Sequence, residues 1–409
     1  MMQKEAPSSN ADHTTTFNDL PAAMLVNIFT RLPVKTLIRS TSVCKTWYSN
    51  ITKPTFISAH IQHSLSCSNN NNALFVIPLV IKHKKYCTLI SAHTGDVLKK
   101  YKIPFQTKTN TLKLCGSLNG VLCLNEIDFG KISGSDLLDD YQELYLWNPS
   151  VGKYKRLSWS CFKKGGECSY ALGLGVYEPT YDFRVVRIVY LEDEMGFLNG
   201  RVPPKVEVFS LRSNKWRRIK EAVVPRVAYQ CSITVGNNMA YWLDTKRTKS
   251  FFEDGWIVWF DFNTEMFGKI KMPDDVRYCF GLMAHFVLMR FEGKLAVCIT
   301  SDLKESSGQP FQPCCIWLMS HEDGEVSWNL RFKVLLKERA RPLSILGSGT
   351  LLMVSPTESE SGEGLFSSNL MREDLLQSKP LDVEPGAGDA LFIESLLLLE
   401  GREELLESA

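Results

Sequence analysis

No run of apolar residues in this 409-residue chain is long enough to cross a bilayer. The longest nearly apolar stretches, Ala73–Ile81 and Leu391–Leu399, fall far short of the ~18 residues a spanning helix needs. The first twenty residues are polar and lack the apolar core of a secretory signal. A cytosolic or nuclear chain with no membrane contact is expected. Neither sign of charge dominates. With 47 basic and 45 acidic side chains the net charge is +2, which gives no broad footprint for nucleic acid or for an anionic surface. The local clusters Lys82–Lys85 and Arg217–Arg218 read as solvated strand edges that discourage sheet-to-sheet pairing. Twelve cysteines are present, but no C-x-x-C pair occurs among them. In a reducing compartment they are expected as thiols, most of them small apolar core residues.

Catalytic patterns are equally scarce. There is no Gly-rich phosphate loop, no G-x-S-x-G and no H-E-x-x-H. His60-x-x-His63 would bring two imidazoles together on a helix, but no third ligand lies nearby in sequence. Cys314 and Cys315 are adjacent, so in a strand their side chains point to opposite faces and both are expected to pack in core. Glu358–Glu363 reads as a solvated loop, and a cytosolic chain would not present Asn50-Ile-Thr52 for glycosylation. No catalytic residue, cofactor or metal is expected.

What is present divides the chain by texture. Residues 1–16 are polar and expected to be disordered, and 17–63 read as short helices. Residues 64–72, with Ser-Leu-Ser-Cys-Ser and four asparagines, read as a polar linker. A β-rich region spans 73–400, and 401–409 form a tail. Pro21 and Pro33 open the first two helices, the first carrying Leu25, Ile28, Phe29 and Leu32 at helical spacing and the second Val34, Leu37 and Ile38. Val43, Trp47 and Ile51 define a third helix, closed by Pro54. A module this small gains from a partner over its remaining apolar side.

The β region repeats itself. Leu146–Leu157, Val208–Ile219 and Trp259–Ile270 align without gaps as a strand, a polar turn and a second strand carrying an aromatic and a basic residue. Weaker copies occur at Leu89–Ile103 and Ile316–Val334. The anchors Trp147, Phe209, Phe260 and Trp317 stand 62, 51 and 57 residues apart, a kelch-like propeller period, and are expected to pack between blades. Further strand pairs turn at Asn119-Gly120, Gly236-Asn237-Asn238 and Glu292-Gly293. One such pair plus one repeated hairpin makes a four-stranded blade, and the expected fold is a three-helix module followed by a β-propeller of six blades, closed by the strand Leu391-Phe-Ile-Glu-Ser-Leu-Leu.

Leu20-Pro21, Leu25, Ile28-Phe29, Arg31-Leu-Pro-Val-Lys35 and Leu37, followed by Val43-Cys-Lys-x-Trp47, resemble an F-box. Ile316-Trp-Leu-Met, Val326-Ser-Trp328 and Ile393-Glu-Ser-Leu-Leu resemble phrases of the F-box-associated domain of plant F-box proteins, the F-box/kelch-repeat and S-locus F-box types among them. Ser40-Thr41-Ser42 departs from the family, many of whose members carry bulkier or basic residues there. The resemblance implies a substrate-recognition subunit of an SCF-type ubiquitin ligase. The F-box would dock on a Skp-type adaptor, which links it to cullin and a RING subunit, and the propeller would hold an unidentified protein target. The adaptor-binding positions it implies are Leu20, Pro21, Ile28, Leu32, Pro33, Val34, Leu37, Val43, Cys44 and Trp47. Of these, Leu20, Pro21, Pro33 and Val34 at helix ends are the foremost for direct contact, while Ile28 and Trp47 are expected to form the module's own core. Two alternatives stay open: an F-box protein acting outside the ligase, and a ligand- or sugar-binding propeller with an unrelated helical cap. Target-binding loops are expected among Glu126–Glu143, Cys161–Ser169, Glu192–Pro204, Lys246–Gly255 and Asp302–Pro313.

Overall fold

Helices come first and strands follow from Leu74 onward in the computed structural model. The structure describes residues 20–68, 74–81, 84–91, 96–107, 111–127, 143–157, 168–191, 203–220, 224, 227, 233–236, 238–244, 255–273, 284–301, 303–304, 310–322, 325–336, 340–345, 349–356, 363–370, 374–383 and 390–399. The expected N-terminal disorder and the tail at 401–409 lie outside them.

The helical head holds α1 (Ala22–Thr30), α2 (Val34–Ser40), α3 (Lys45–Thr52) and α4 (Pro54–Ser68). Pro21 and Pro33 are the N-caps of α1 and α2, at φ −54° and −59°, angles their rings already impose. The fourth helix corrects the expectation of three helices and a linker from residue 64. Phe56, Ile57, His60 and Ile61 recur on one face of α4, and all four are buried. Phe56 meets Phe29 edge-on at 6.4 Å, and Trp47 meets Phe29 edge-on at 5.0 Å. This burial holds α4 in place despite its serines, and the helix runs to Ser68. Residues 69–72 of the expected linker lie outside the described residues.

The strands form six antiparallel sheets among the described residues. The first contains β1 (Leu74–Ile81), β2 (Lys84–Ser91) and β3 (Val97–Lys102). The second contains β4 (Thr111–Leu118), β5 (Val121–Ile127), β6 (Glu143–Asn148) and β7 (Lys153–Arg156), and the third β8 (Cys168–Tyr177), β9 (Asp182–Leu191), β10 (Lys205–Ser210) and β11 (Lys215–Ile219). Next come β12 (Ile233–Val235), β13 (Met239–Leu243), β14 (Trp256–Asp261) and β15 (Met266–Lys271). The fifth sheet is built from β16 (Ala284–Phe291), β17 (Lys294–Ser301), β18 (Leu303–Lys304), β19 (Pro310–Glu322) and β20 (Glu325–Leu336). The sixth holds β21 (Arg341–Ile345), β22 (Thr350–Pro356), β23 (Glu363–Asn369) and β24 (Asp374–Val383). The last strand, β25 (Ala390–Phe392), returns to pair with β1, so the first sheet is made from both ends of the β region. With β24 approaching β1, the sheets close into a ring. This is a β-propeller.

The repeated hairpins lie in the register their alignment requires: Trp147 faces Tyr154, Phe209 faces Trp216 and Phe260 faces Phe267. The anchors Trp147, Phe209, Phe260 and Trp317 are all buried, each in a cluster between neighbouring sheets. Cys314 and Cys315 fall into separate clusters on the two faces of β19, as adjacent strand residues must. The Asn119-Gly120 turn has φ of 51° and 79°, the two left-handed residues a tight hairpin requires.

Because consecutive strands alternate in direction, their connections alternate between the two rims of the ring. Turns such as 119–120, 149–152, 178–181, 211–214, 262–265 and 292–293 share one rim. The strand ends that bracket the long connections 128–142, 157–167, 192–204, 220–232 and 244–255 stand on the other. The head sits on the short-turn rim, where Val151 packs into the head's own cluster. No helix among the described residues is long and apolar enough to cross a membrane.

Candidate functional site: the outward row of the head and its seat on the propeller

The head's interior is set by Leu25, Phe29, Val34, Leu37, Ile51, Phe56, Ile57 and Ile61. Two of the ten expected adaptor contacts, Val34 and Leu37, are therefore core residues, 2% and 0% exposed. A helix end exposes only the side chains that point outward, and α2 turns Val34 and Leu37, three residues apart, into the head. Leu20, Leu32, Cys44 and Trp47 are half-buried. Cys44 caps α3, its Sγ accepting from the Trp47 backbone N–H at 3.5 Å. Pro21, Pro33, Ile28 and Val43 are exposed. Ile28 thus stands outside the core it was expected to help form, and Val43 precedes α3 and is 62% exposed.

Sequence reasoning missed two exposed residues. Met24 is 56% exposed and falls between Pro21 and Ile28 at helical spacing, completing an outward apolar row on α1. Tyr48, on α3, is 48% exposed. The available signal was a Met at i+3 from Pro21 and i−4 from Ile28, off the stripe that reads as core. At Ser40-Thr41-Ser42, where the chain departs from the family, the three hydroxyls turn back onto α2. Each hydroxyl donates to a carbonyl of α2, to Thr36, Ile38 and Arg39 at 2.9, 2.6 and 2.7 Å.

On another flank the head is already occupied. Ile393 and Leu396, downstream of β25, belong to the head's buried cluster, with Leu397 and Leu399 packed against it. The expected closing strand is therefore short. It ends at Phe392, and the residues after it leave the sheet to support the helices.

His60 lies at the base of this flank, 3% exposed. Its Nε2 is 3.0 Å from the Leu32 carbonyl, which only accepts, so Nε2 carries the proton. Burial lowers its pKa below 6.5, and His63 pushes the same way, against the Leu32 bond and Glu394. The unfolded chain therefore binds a proton that the folded head resists. Head stability should be level above pH 6.5 and fall as pH drops below it towards the lowered value. Thermal melts of the wild-type chain and His60→Gln between pH 7.5 and 5 check this, since the variant should lose that part of the slope. His63 is only partly buried, and among the described residues no group of three candidate ligands could hold a metal.

Elsewhere, polar groups tie sheets together. Tyr170 donates to Asn125 Oδ1 at 2.9 Å across the second and third sheets, and burial raises its pKa. Within the third sheet Arg187 Nε donates to the buried Glu207 at 2.6 Å, and its guanidinium lies 4.3 Å over the Trp216 ring. Burial pushes the Cys87 thiol up to about 12, and the Cys298 thiol is raised by its contact with Cys314, 3.5 Å away, and by burial. Neither is a ready nucleophile at neutral pH. The loops expected to bind a target lie largely outside the described residues, but the strand ends that bracket them stand on the long-connection rim.

Residues 17–60 match an F-box-like family, and residues 122–355 match the F-box associated beta propeller domain. The chain belongs to the F-box-associated β-propeller family. The F-box protein At3g07870 of Arabidopsis thaliana is 24% identical to it over 338 residues, 77% of this chain and 72% of that protein. The F-box/kelch-repeat protein At3g23880, also of Arabidopsis thaliana, is 26% identical over 214 residues, 49% of this chain and 51% of its own length, so the chain spans about half of that relative. The β-propeller domain of the Trilobed protease from Pyrococcus furiosus aligns over 66% of this chain and 71% of that one, at 12% identity and a TM-score of 0.31. Within the family's architecture, the F-box head is the four-helix module and the propeller is the ring beneath it.

Proposed function

We propose that this F-box protein is the substrate-recognition subunit of an SCF-type ubiquitin ligase and performs no covalent chemistry itself. The head docks on a Skp-type adaptor, which bridges to cullin and RING, in the cytosol or nucleus. The propeller holds the protein to be ubiquitinated. The observation that carries this reading is the outward row Pro21, Met24 and Ile28, left open on a head whose other flank is covered by the chain's own residues. Such a receptor accelerates transfer by raising the effective concentration of a target lysine near a thioester on another subunit. The long-connection rim, remote from the head, is the side from which a target is held.

Co-purification tests the reading. The full chain should retain a Skp-type adaptor and, through it, cullin. Failure to capture the adaptor refutes it. Capture of the adaptor without cullin moves the protein outside the ligase.

A further inference from the structure

We infer that residues Ile393–Leu399 are a clasp that makes the F-box head and the propeller one rigid body, with Asn148 and Gly120 as its seat. The purpose assigned to that rigidity rests on the ligase reading above. The clasp itself rests on geometry.

The segment faces three ways. Ile393 and Leu396 enter the head's cluster, and Leu396 is completely buried. Leu398, at φ +68°, turns back into the cluster between the second and third sheets. Ser395, also fully buried, lies against the turn between β4 and β5.

The propeller is specialised to receive it. Asn148 Nδ2 stands 3.0 and 3.2 Å from the Ser395 carbonyl and Oγ, and 2.8 Å from the Leu397 carbonyl. Its Oδ1 accepts from Ser150 N–H at 2.9 Å, which fixes the amide's orientation. In the hairpins that align with this one, the equivalent residues are Ser210 and Asp261. Ser210 accepts from Ser213 N–H in its own turn, and Asp261 accepts from Asn263 and Thr264 in its own. An amide supplies both functions, an acceptor for the local turn and donors for a second strand of chain. The turn glycines show the same contrast. A Cβ on Gly120 would meet the Ile393 carbonyl at 2.5 Å and Ser395 Oγ at 2.6 Å, whereas one on Gly293, in the matching turn of the fifth sheet, would meet nothing within 4 Å. Lys153 Nζ then closes on the Leu399 carbonyl at 3.0 Å.

Since Ile393 directly follows β25, one stretch of chain both closes the ring and seats the head. In a receptor that works by proximity, that stretch fixes the distance from the adaptor to the held target. Asn148, Ser395 and Leu396 are thus positioning residues.

The test is an intramolecular distance distribution in the full chain, between spin labels on unnatural amino acids replacing exposed Ser49 in the head and Lys215 in the propeller. The wild-type chain should give one narrow distance. Asn148→Ala combined with Leu396→Asp should give a broad one, because the hydrogen bonds of the seat and the fully buried apolar contact of the clasp with the head are then both lost. Asn148→Ala alone, which leaves the head's interior untouched, should broaden it partly, and decides the matter if the double variant loses helix content. A distribution as narrow as wild type in Asn148→Ala and in any folded double variant overturns the clasp. The readout needs no adaptor, so failure of adaptor capture by the wild-type chain would sink the ligase reading and leave the distance result standing.

Discussion

Met24→Asp together with Ile28→Asp should abolish capture of a Skp-type adaptor while leaving the chain as stable as wild type. Both side chains face solvent, so charge there costs the isolated protein within about 0.5 kcal/mol. At an interface the same carboxylates must be desolvated without partners, and apolar anchors at an interface centre are worth about 2 kcal/mol each. Two together correspond to about a thousand-fold loss of affinity. Titration of purified adaptor, read by calorimetry, gives the affinity, and a thermal melt gives the stability. Undiminished binding would remove the α1 row from the docking surface. The variant has a second use. A folded receptor that cannot dock should trap targets without delivering them, so proteins that accumulate on its expression are candidate substrates. It is a better trap than removal of the whole head, which would strip the cover from Ile393 and Leu396.

The fold was largely legible because the features that build it are local. Helical spacing in Leu25–Phe29, the tight turn at Asn119-Gly120 and the recurring aromatic pairs each lie within a dozen residues, and each fixes a register once a strand or helix is assumed. The fourth helix escaped because its serines suggest a linker, and only the row Phe56, Ile57, His60 and Ile61, seated on Phe29, outweighs them. The exposure of the expected docking residues was half legible. A motif names positions without saying which way they face, so Val34 and Leu37 went to the core while Met24, outside the motif, went to the surface. The clasp was not legible at all. Asn148 and Ser395 are 247 residues apart, and nothing local in Ile393–Leu399 distinguishes a strand that continues from one that leaves its sheet. Long-range polar pairing of this kind carries no periodic signature.

Gly175→Val should destabilise the propeller by about 3 kcal/mol, an overpacking cost at the upper end of the usual range. The reason lies in β8, whose Ala171-Leu-Gly-Leu-Gly-Val176 alternates small and large residues. Leu172, Leu174 and Val176 enter the cluster with the second sheet, while Ala171, Gly173 and Gly175 form the opposite face, towards the fourth. On that face rings replace side chains. Trp242 lies over Gly173, where a Cβ would meet its ring at 2.6 Å, and its Nε1 donates to the Leu172 carbonyl at 3.0 Å. Phe262 covers Gly175, where any Cβ would fall inside the ring's contact radius. Phe262 cannot swing away, because it is fully buried and stands edge-on to Phe260 at 5.0 Å. Gly175 has no left-handed backbone angle, so the cost belongs to sheet spacing and not to backbone strain. A double-mutant cycle separates the two. Phe262→Leu alone should destabilise through a cavity, but with Gly175→Val it should recover part of the loss, giving a coupling of about 1 kcal/mol in urea denaturation. Strict additivity would mean that the third and fourth sheets are not held apart by these rings.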